Sequence, residues 1–431
     1  LRSIARDRVL LGILLIAVLL RLVYAFAVFP AIGERLHWKG VDDGYDEIAR
    51  HVLHGHGFVD RPGDIPNLVT PPGYVYFLAA LYFVFGEEVN EGFRIRLVQP
   101  FLDGATALLI FLIGMRVFKN RRVALLGSLA WALYPQAIVY NARVAPEVLF
   151  VLLLTAMVLF LLRLRSEGRL GDAAAAGILF GLAVLVKEKV LFFPIVLAAL
   201  VLGLRSLAPA RRVLLVLAMF AAAAAVTAPW IARGHRAAGT FVPITLRSGR
   251  ALNQGMNESF AGADESLVRF FENQPERRWR DLPADSKERE ERARESAREE
   301  NSLVGSALAR IVSDPGAFAR AFLVKLGAFW YFGQPKVLAG NLLVQVPILL
   351  LAIAGYARGW KRFDLLPFLL LTLYMWMIHA LTIVRMRYSL PVMPETILVA
   401  SFFAIRLWER SRAARSPCSA AQSPPRPADP R

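Results

Sequence analysis

The sequence predicts an all-α integral membrane protein, a bundle of about ten spanning helices. Three observations lead there. The 431-residue chain is 56% hydrophobic, with a mean hydropathy of +0.46, too apolar for an ordinary water-soluble protein. Several runs of about 20 residues are nearly free of charge, the length of helix that crosses a ~30 Å hydrocarbon core. The basic residues fall in short clusters between those runs.

The first run is RVLLGILLIAVLLRLVYAFAVF, residues 8–29. It is longer than a signal-peptide core, contains Arg21 and lacks a small-residue cleavage site, so it reads as a retained anchor. Further spans are expected at 95–116, 123–140, 144–163, 172–187, 190–205, 212–232, 340–357, 364–383 and 389–406. Two long polar excursions separate them, 30–94 and 233–339. No internal repeat is evident.

Charge sets the expected orientation. With the N-terminus inside, the inner loops carry Arg116/Lys119/Arg121/Arg122, Arg163/Arg165/Arg169, Arg205/Arg211/Arg212 and Arg358/Lys361/Arg362. Every predicted inner loop is then basic, as the positive-inside rule requires, and both long excursions face outward. PPGYVYFLAALYFVFG, 71–86, is too short after its prolines for a span and suits an interfacial or re-entrant helix. AFARAFLVKLGAFWYFG, 317–333, with Arg320 and Lys325 inside it, is read as lying along the outer surface. Counting both as spans gives about twelve and inverts the middle of the protein. DSKEREERARESAREENSL, 285–303, is dense in mixed charge at helical spacing and reads as a solvated helix or spacer. The expected organisation is one membrane domain, 1–410, and a disordered cytoplasmic tail, 411–431, rich in Pro, Ser, Ala and Arg.

A net charge of +17 invites a nucleic-acid reading. The distribution of the positives in short inter-span loops argues for topology instead. The single cysteine, Cys418, excludes disulfides within the chain and Cys-based metal sites.

The informative charges are those at the outer ends of spans, where ions are costly and face a cavity or a partner. Asp42, Asp43, Asp46 and Glu47 open the first loop, in the stretch DDGYDEIARHVLHGHGF. Read alone, they also suit a helix cap in a solvated loop. Glu147 lies in the first turn of span four after Pro146, a position that helix initiation also favours. Lys187, Glu188 and Lys189 occupy a short turn between spans five and six. RMRYSLP brings Arg385, Arg387 and Tyr388 to the outer boundary, and Arg143, Arg233, His235 and Arg236 extend the basic belt. Outer acids with outer cations suit a reaction with a phosphate leaving group: acids accept a proton or organise a metal, and cations hold the developing charge. A lipid-anchored substrate would explain the membrane location.

The ordered series DDGYDEIARHVLHGHGF, TPPGYVYFLAALYFVFGE, RIRLVQPFLDGATALLIFLIGMRVF, RRVALLGSLAWALYPQAIVYNARVAPEVLFVLLL, AAGILFGLAVLVKEKVLFFP, APWIARGHRAAGTFVPI and RMRYSLPVMP resembles the GT-C membrane glycosyltransferases, specifically the glycosyltransferase family 39 group. That group includes protein O-mannosyltransferases, aminoarabinose transferases and Rgt-like transferases. The resemblance implies a GT-C-like bundle in the inner membrane, with its active site on the periplasmic face. It implies a polyprenyl-phosphate-linked sugar donor, a glycan, lipid or protein acceptor, and membrane lipids as surroundings. The essential first-loop acid falls on Asp42 or Asp43, ahead of Tyr45, and the second acidic position falls on Glu147. The helix after PPGY matches a juxtamembrane helix of the family.

The expected reaction is transfer with inversion, with a first-loop Asp as base. Lys187, Lys189, Arg385, Arg387 and Tyr388 then hold the donor phosphate, and Tyr45, His54, His56 and Arg233 are candidate acceptor contacts. The sequence points to no definite cofactor, and a divalent cation (Mg or Mn) is compatible with the acids. The alternatives are a transporter or flippase of a lipid-linked sugar, which the lack of a repeat disfavours, and a non-catalytic assembly subunit.

Overall fold

A computed structural model of the chain describes residues 7–31, 44–64, 66–87, 92–204, 206–246, 287–331, 335–359 and 363–415, with Gly249, Ala251, Leu252 and Gly255. The described residues are helices joined by turns, with no strand among them. Helix α1 (Arg8–Val23) continues through a widened turn, Tyr24–Val28, to Ala31. Two short helices follow in the first loop, α2 (Tyr45–Leu53) and α3 (Pro72–Phe85). Then come α4 (Phe93–Phe118), α5 (Arg121–Ala132), α6 (Pro135–Asn141), α7 (Glu147–Glu167), α8 (Leu170–Val186), α9 (Phe193–Leu202) and α10 (Pro209–Ala238). After the second excursion lie α11 (Lys287–Ser313), α12 (Pro315–Tyr331), α13 (Pro335–Gly359), α14 (Leu366–Leu381) and α15 (Met393–Arg415).

Every expected span lies largely within helix, but the spans differ in length. Among the described residues, six helices are long and apolar enough to cross a bilayer, or seven if the bent pair α5–α6 is one span. Pro135 begins α6 after a 49° bend, because proline cannot continue the hydrogen-bond ladder. The shorter ones are α8, α9 and α14, with 17, 10 and 16 residues. With 14 residues, α3 is also short of a span, and it packs on α2 and α8. The mixed-charge stretch forms the first part of α11. α12 does not lie free on a surface: Lys325 is buried and donates to the carbonyls of Gly255 and Thr382, while Trp376 Nε1 donates to Leu326 O at 2.7 Å. These bonds fasten α12 along α14. At the other limit, α15 runs on to Arg415, past the expected start of the tail at 411. Residues 416–431 lie outside the described residues.

One buried ion pair organises the first half. Arg21 on α1 is fully buried, and its Nε pairs with Asp103 Oδ2 on α4, itself only 2% exposed. Arg21 Nη1 donates to Ala132 O at 2.8 Å and to Ala17 O at 3.0 Å, and Nη2 to Trp131 O at 3.2 Å. Trp131 Nε1 completes the ring by donating to Asp103 Oδ1 at 3.1 Å. The logic starts at Pro135: where α5 stops, its last carbonyls lose their helical donors. Arginine's planar fork can serve several acceptors at once, and a carboxylate balances its charge. At the opposite end of α1, Asp7 caps the helix through Leu10 N and accepts two bonds from Arg121 at 2.8 and 3.0 Å. The first turns of α1 and α5 therefore share one end of the bundle, together with the Arg116–Glu167 and Arg163–Asp172 pairs.

Small residues set the α8–α10 contact. A Cβ on Gly177 would fall 2.1 Å from Met219 O, and one on Gly181 would fall 2.9 Å from Val226 Cβ. Without a hydrophobic effect between helices in lipid, such close approach is a main source of association.

Two outcomes are expected in thermal unfolding of purified protein. Asp103→Ala strands a buried guanidinium and should cost ~3–5 kcal/mol, with Arg21→Met/Asp103→Leu recovering part of that loss. A double variant no better than the single would show that charge balance is not what the pair supplies. Gly177→Ala should cost about 1–3 kcal/mol through overpacking, whereas Gly171→Ala, with open space around it, should be near neutral.

Candidate functional site

The site is built around the first turn of α7. The chain between α6 and α7 is held in place from α4. Gln99 Nε2 donates to Asn141 O at 2.8 Å and Arg143 O at 2.9 Å, and Arg96 Nε donates to Ala142 O at 2.9 Å. The hydroxyl of Tyr74, on α3, reaches Gln99 Oε1 at 3.5 Å. This frame delivers Pro146 and then Glu147 to the helix start, where unpaired amides favour a negative charge.

Glu147 is 1% exposed. Its Oε1 accepts from Lys187 Nζ at 2.9 Å, and Arg387 Nε lies 3.9 Å from the same oxygen. Its Oε2 is buried with no hydrogen-bond partner among the described residues. Lys187 ends α8, and Arg387 belongs to the short helical turn Met386–Val392 that precedes α15. Both cations also face Tyr388, Lys187 Nζ at 5.6 Å and Arg387 Cζ at 5.2 Å from the ring centre. The ring of Phe150 lies 5.8 Å from Lys187 Nζ. Behind Tyr388, the buried His379 ring stacks at 4.6 Å, and its Nδ1 contacts Met375 O at 2.8 Å. One carboxylate and two cations thus meet at Tyr388.

The sequence-predicted residues therefore divide. Glu147, Lys187, Arg387 and Tyr388 come together. Lys189 pairs instead with Glu188 at 3.9 Å, and its carbonyl accepts from the Tyr374 hydroxyl at 2.8 Å. Arg385 Nη1 donates to Val384 O at 3.4 Å. Asp42 and Asp43 lie outside the described residues, which resume at Gly44. Tyr45 is buried edge-on against Tyr74 at 5.3 Å. Asp46 is 7% exposed, accepts from the Tyr82 hydroxyl and pairs with Arg50 at 3.0 Å, locking α2 to α3. Burial pulls the Arg50 guanidinium down, but the hydrogen bond and charge of Asp46, together with Tyr82 and Glu87, outweigh it and hold Arg50 above its ordinary range.

His54 pairs with Glu87, and its ring is 6.4 Å from that of His56. Arg233 is a loop clamp: it donates to Asn67 O at 3.2 Å and Phe58 O at 3.1 Å and lies 4.4 Å over Trp230. Among the described residues, no group of three or more His, Cys, Asp or Glu is arranged to hold a metal. His379, Phe150 and Gln99 were not singled out in the sequence. A polar residue inside an apolar helix was the available signal for His379 and Gln99, whereas Phe150 had none.

Comparison with known proteins agrees with this architecture. The family model described as dolichyl-phosphate-mannose-protein mannosyltransferase matches residues 69–232, from the end of the first loop to α10. The undecaprenyl phosphate-alpha-4-amino-4-deoxy-L-arabinose arabinosyl transferase of Serratia proteamaculans is 26% identical over 183 residues, which is 40% of this chain and 31% of that protein. The like-named protein of Yersinia pestis is 25% identical over 176 residues, with the same two coverages. The chain thus matches about a third of the length of these relatives. Among solved structures, the Archaeoglobus fulgidus oligosaccharyltransferase superposes over most of this chain. Its apo form gives a TM-score of 0.55 over 96% of this chain and 52% of its own length, at 16% identity. Its complex with an inhibitory peptide and a dolichol-phosphate gives 0.54, over 95% and 52%, also at 16%. The chain thus shares the helical fold of the oligosaccharyltransferase and is similar, over residues 69–232, to the dolichyl-phosphate-mannose-protein mannosyltransferase family.

Proposed function

We propose that the protein transfers a sugar from a polyprenyl-phosphate-linked donor to an acceptor at the outer face of the membrane. The observation that carries this reading is the cluster of Lys187 and Arg387 around the buried Glu147, an anion site walled by Tyr388. It lies where α7 begins and α8 ends, at the end of the bundle that the charge pattern assigns to the outside. The names of the relatives point to lipid-phosphate sugars as donors.

In this reading the lipid phosphate rests on Lys187 and Arg387. Glu147 keeps Lys187 aimed, and the Tyr388–His379 stack limits how far either cation can stray. The acceptor's hydroxyl or amine attacks the anomeric carbon from the side opposite the phosphate. The new bond forms as the bond from that carbon to the phosphate oxygen breaks, and the electron pair departs with polyprenyl phosphate. Configuration at the sugar inverts. Asp42 or Asp43 takes the acceptor proton. Negative charge grows on the leaving phosphate, so preset cations stabilise the transition state more than the ground state. Acceptor capture belongs to the outer segments, with residues 233–339 the main candidate.

The test supplies purified protein with polyprenyl-phosphate sugars and follows release of polyprenyl phosphate, which distinguishes transfer from translocation of an intact lipid. Lys187→Met and Arg387→Met should each lower turnover by about 10²–10³. Loss of the base, Asp42→Asn or Asp43→Asn, should lower it by about 10²–10⁴. Unchanged release in Asp42→Asn, Asp43→Asn and Glu147→Gln alike would sink the assignment. Sidedness has its own measurement: a reporter fused after residue 300 should be active outside. A cytoplasmic signal would put the cluster on the wrong face.

A further inference from the structure

The turn between α8 and α9 carries Lys187, and it is held from a third helix. α8 ends at Val186, and Lys187 leaves it in extended backbone, at φ −147° and ψ 117°. One tight turn, Glu188–Val190, follows before α9 begins at Phe193. Backbone groups between two helix ends need partners from elsewhere. A single hydroxyl meets two of them. Tyr374 Oη, on α14, donates to Lys189 O at 2.8 Å and accepts from Phe192 N at 3.2 Å. A hydroxyl can do both at once. The Tyr374 ring also packs on that of Phe193, centre to centre at 5.2 Å.

This grip bears on which lysine reaches Glu147. Lys187 Nζ lies 2.9 Å from Glu147 Oε1, whereas Lys189 Nζ lies 3.9 Å from Glu188. The two lysines are alike in chemistry and two residues apart, so only the path of the backbone tells them apart. Upstream, the Lys187 amide donates to Ala183 O at 2.8 Å and continues the α8 ladder. Downstream, Tyr374 takes the carbonyl of Lys189 itself. The turn is thereby pinned on both sides of Glu188.

α14 supports the second cation as well. His379, five residues beyond Tyr374, stacks on Tyr388 at 4.6 Å, and Tyr388 faces both Lys187 and Arg387. One helix thus touches two segments that are remote in sequence and each bear one cation. α14 is itself fastened to α12 through Trp376 Nε1 on Leu326 O at 2.7 Å.

We propose that Tyr374 is a positioning residue: its hydroxyl holds the turn from Lys187 to Phe192 so that Lys187, and not Lys189, presents its ammonium beside Glu147 and Arg387. Tyr374 acts through Lys187. Its kinetic consequence rests on the proposed transfer reaction; its effect on Lys187 does not. A preset charge displaced by ~1 Å lowers a rate by as much as about 10²-fold.

The experiment compares wild type with Tyr374→Phe, which keeps the ring, and with Trp376→Phe, which removes an α14 hydrogen bond directed at α12 instead. Lysines of the full-length proteins in detergent are reductively methylated with limiting formaldehyde and cyanoborohydride, then quantified by peptide mass spectrometry against the exposed Lys119. Lys187, 15% exposed in the wild type, should label severalfold faster in Tyr374→Phe and at the wild-type rate in Trp376→Phe. Unchanged Lys187 labelling in monodisperse Tyr374→Phe overturns the proposal. Equal acceleration in Trp376→Phe also overturns it, because any loosening of α14 would then suffice. Hydrogen exchange in wild type needs no variant. The Phe192 amide should exchange at least tenfold more slowly than in an unstructured peptide of the same sequence, and exchange at the peptide's rate overturns the tether. In the assay of polyprenyl phosphate release, Tyr374→Phe should lower kcat about tenfold with a smaller change in the donor KM. A wild-type kcat beside altered labelling overturns the kinetic role. If wild type releases no polyprenyl phosphate, the transfer reading falls, and Lys187 labelling still decides what Tyr374 does.

Discussion

The structure depends first on a charge that cannot be left alone. Arg21 sits in the middle of an apolar helix and is completely buried. A guanidinium in that setting is tolerable only with a counter-charge and with acceptors for its remaining donors. Asp103 supplies the former, and the carbonyls of Ala17, Trp131 and Ala132 supply the latter. The requirement is mutual. The Ala132 and Trp131 carbonyls lose their next-turn helical donors because α5 gives way at Pro135, and the bend is tolerable in turn because Arg21 serves them. A hydrocarbon solvent enforces this closure, since no water is present to repair an unpaired group.

The same helix that answers Arg21 also builds the site. Arg96, Gln99 and Asp103 fall at spacings of three and four along α4, so they line one face. Asp103 fixes α1 and the end of α5, while Gln99 and Arg96 hold the backbone from Asn141 to Arg143. Glu147 follows directly. The position of that carboxylate is thus inherited from a polar stripe on α4. Glu147 in turn gathers cations from α8 and from the turn before α15, segments remote in sequence. Two cations at such a point suit a lipid phosphate in the proposed reaction, because they are in place before the substrate arrives and little reorganisation is needed.

Much of this was legible beforehand. The helical class followed from apolar runs and basic loops, and the helices lie on the expected segments. Glu147, Lys187, Arg387 and Tyr388 were singled out as ions and aromatics at span ends, where bilayer physics makes such residues conspicuous. Their partition was not legible. Lys187 and Lys189 are two residues apart and read alike, yet only one meets Glu147, because the α8 helix ends at Lys187 and the next turn swings Lys189 toward Glu188. Arg233 read as part of an outer basic belt, but cation–π contact and two carbonyls make it a clamp on the first loop. Pro135, which splits a run that read as one span, announced a bend without its angle.

By itself the sequence determined the solvent this protein lives in, the segments that become helices, and the small set of ions worth attention. Those properties are local: hydropathy over about 20 residues, proline at a helix start, charge counted loop by loop. Tertiary structure decided which ions share a site and which are structural ties. It joined Arg21 to Asp103 across 82 positions and Glu147 to Lys187 across 40. The physical reason is that a charge in an apolar run states only a need for a partner. Which partner meets that need depends on helix crossings, and those are set by packing between faces that no single segment encodes.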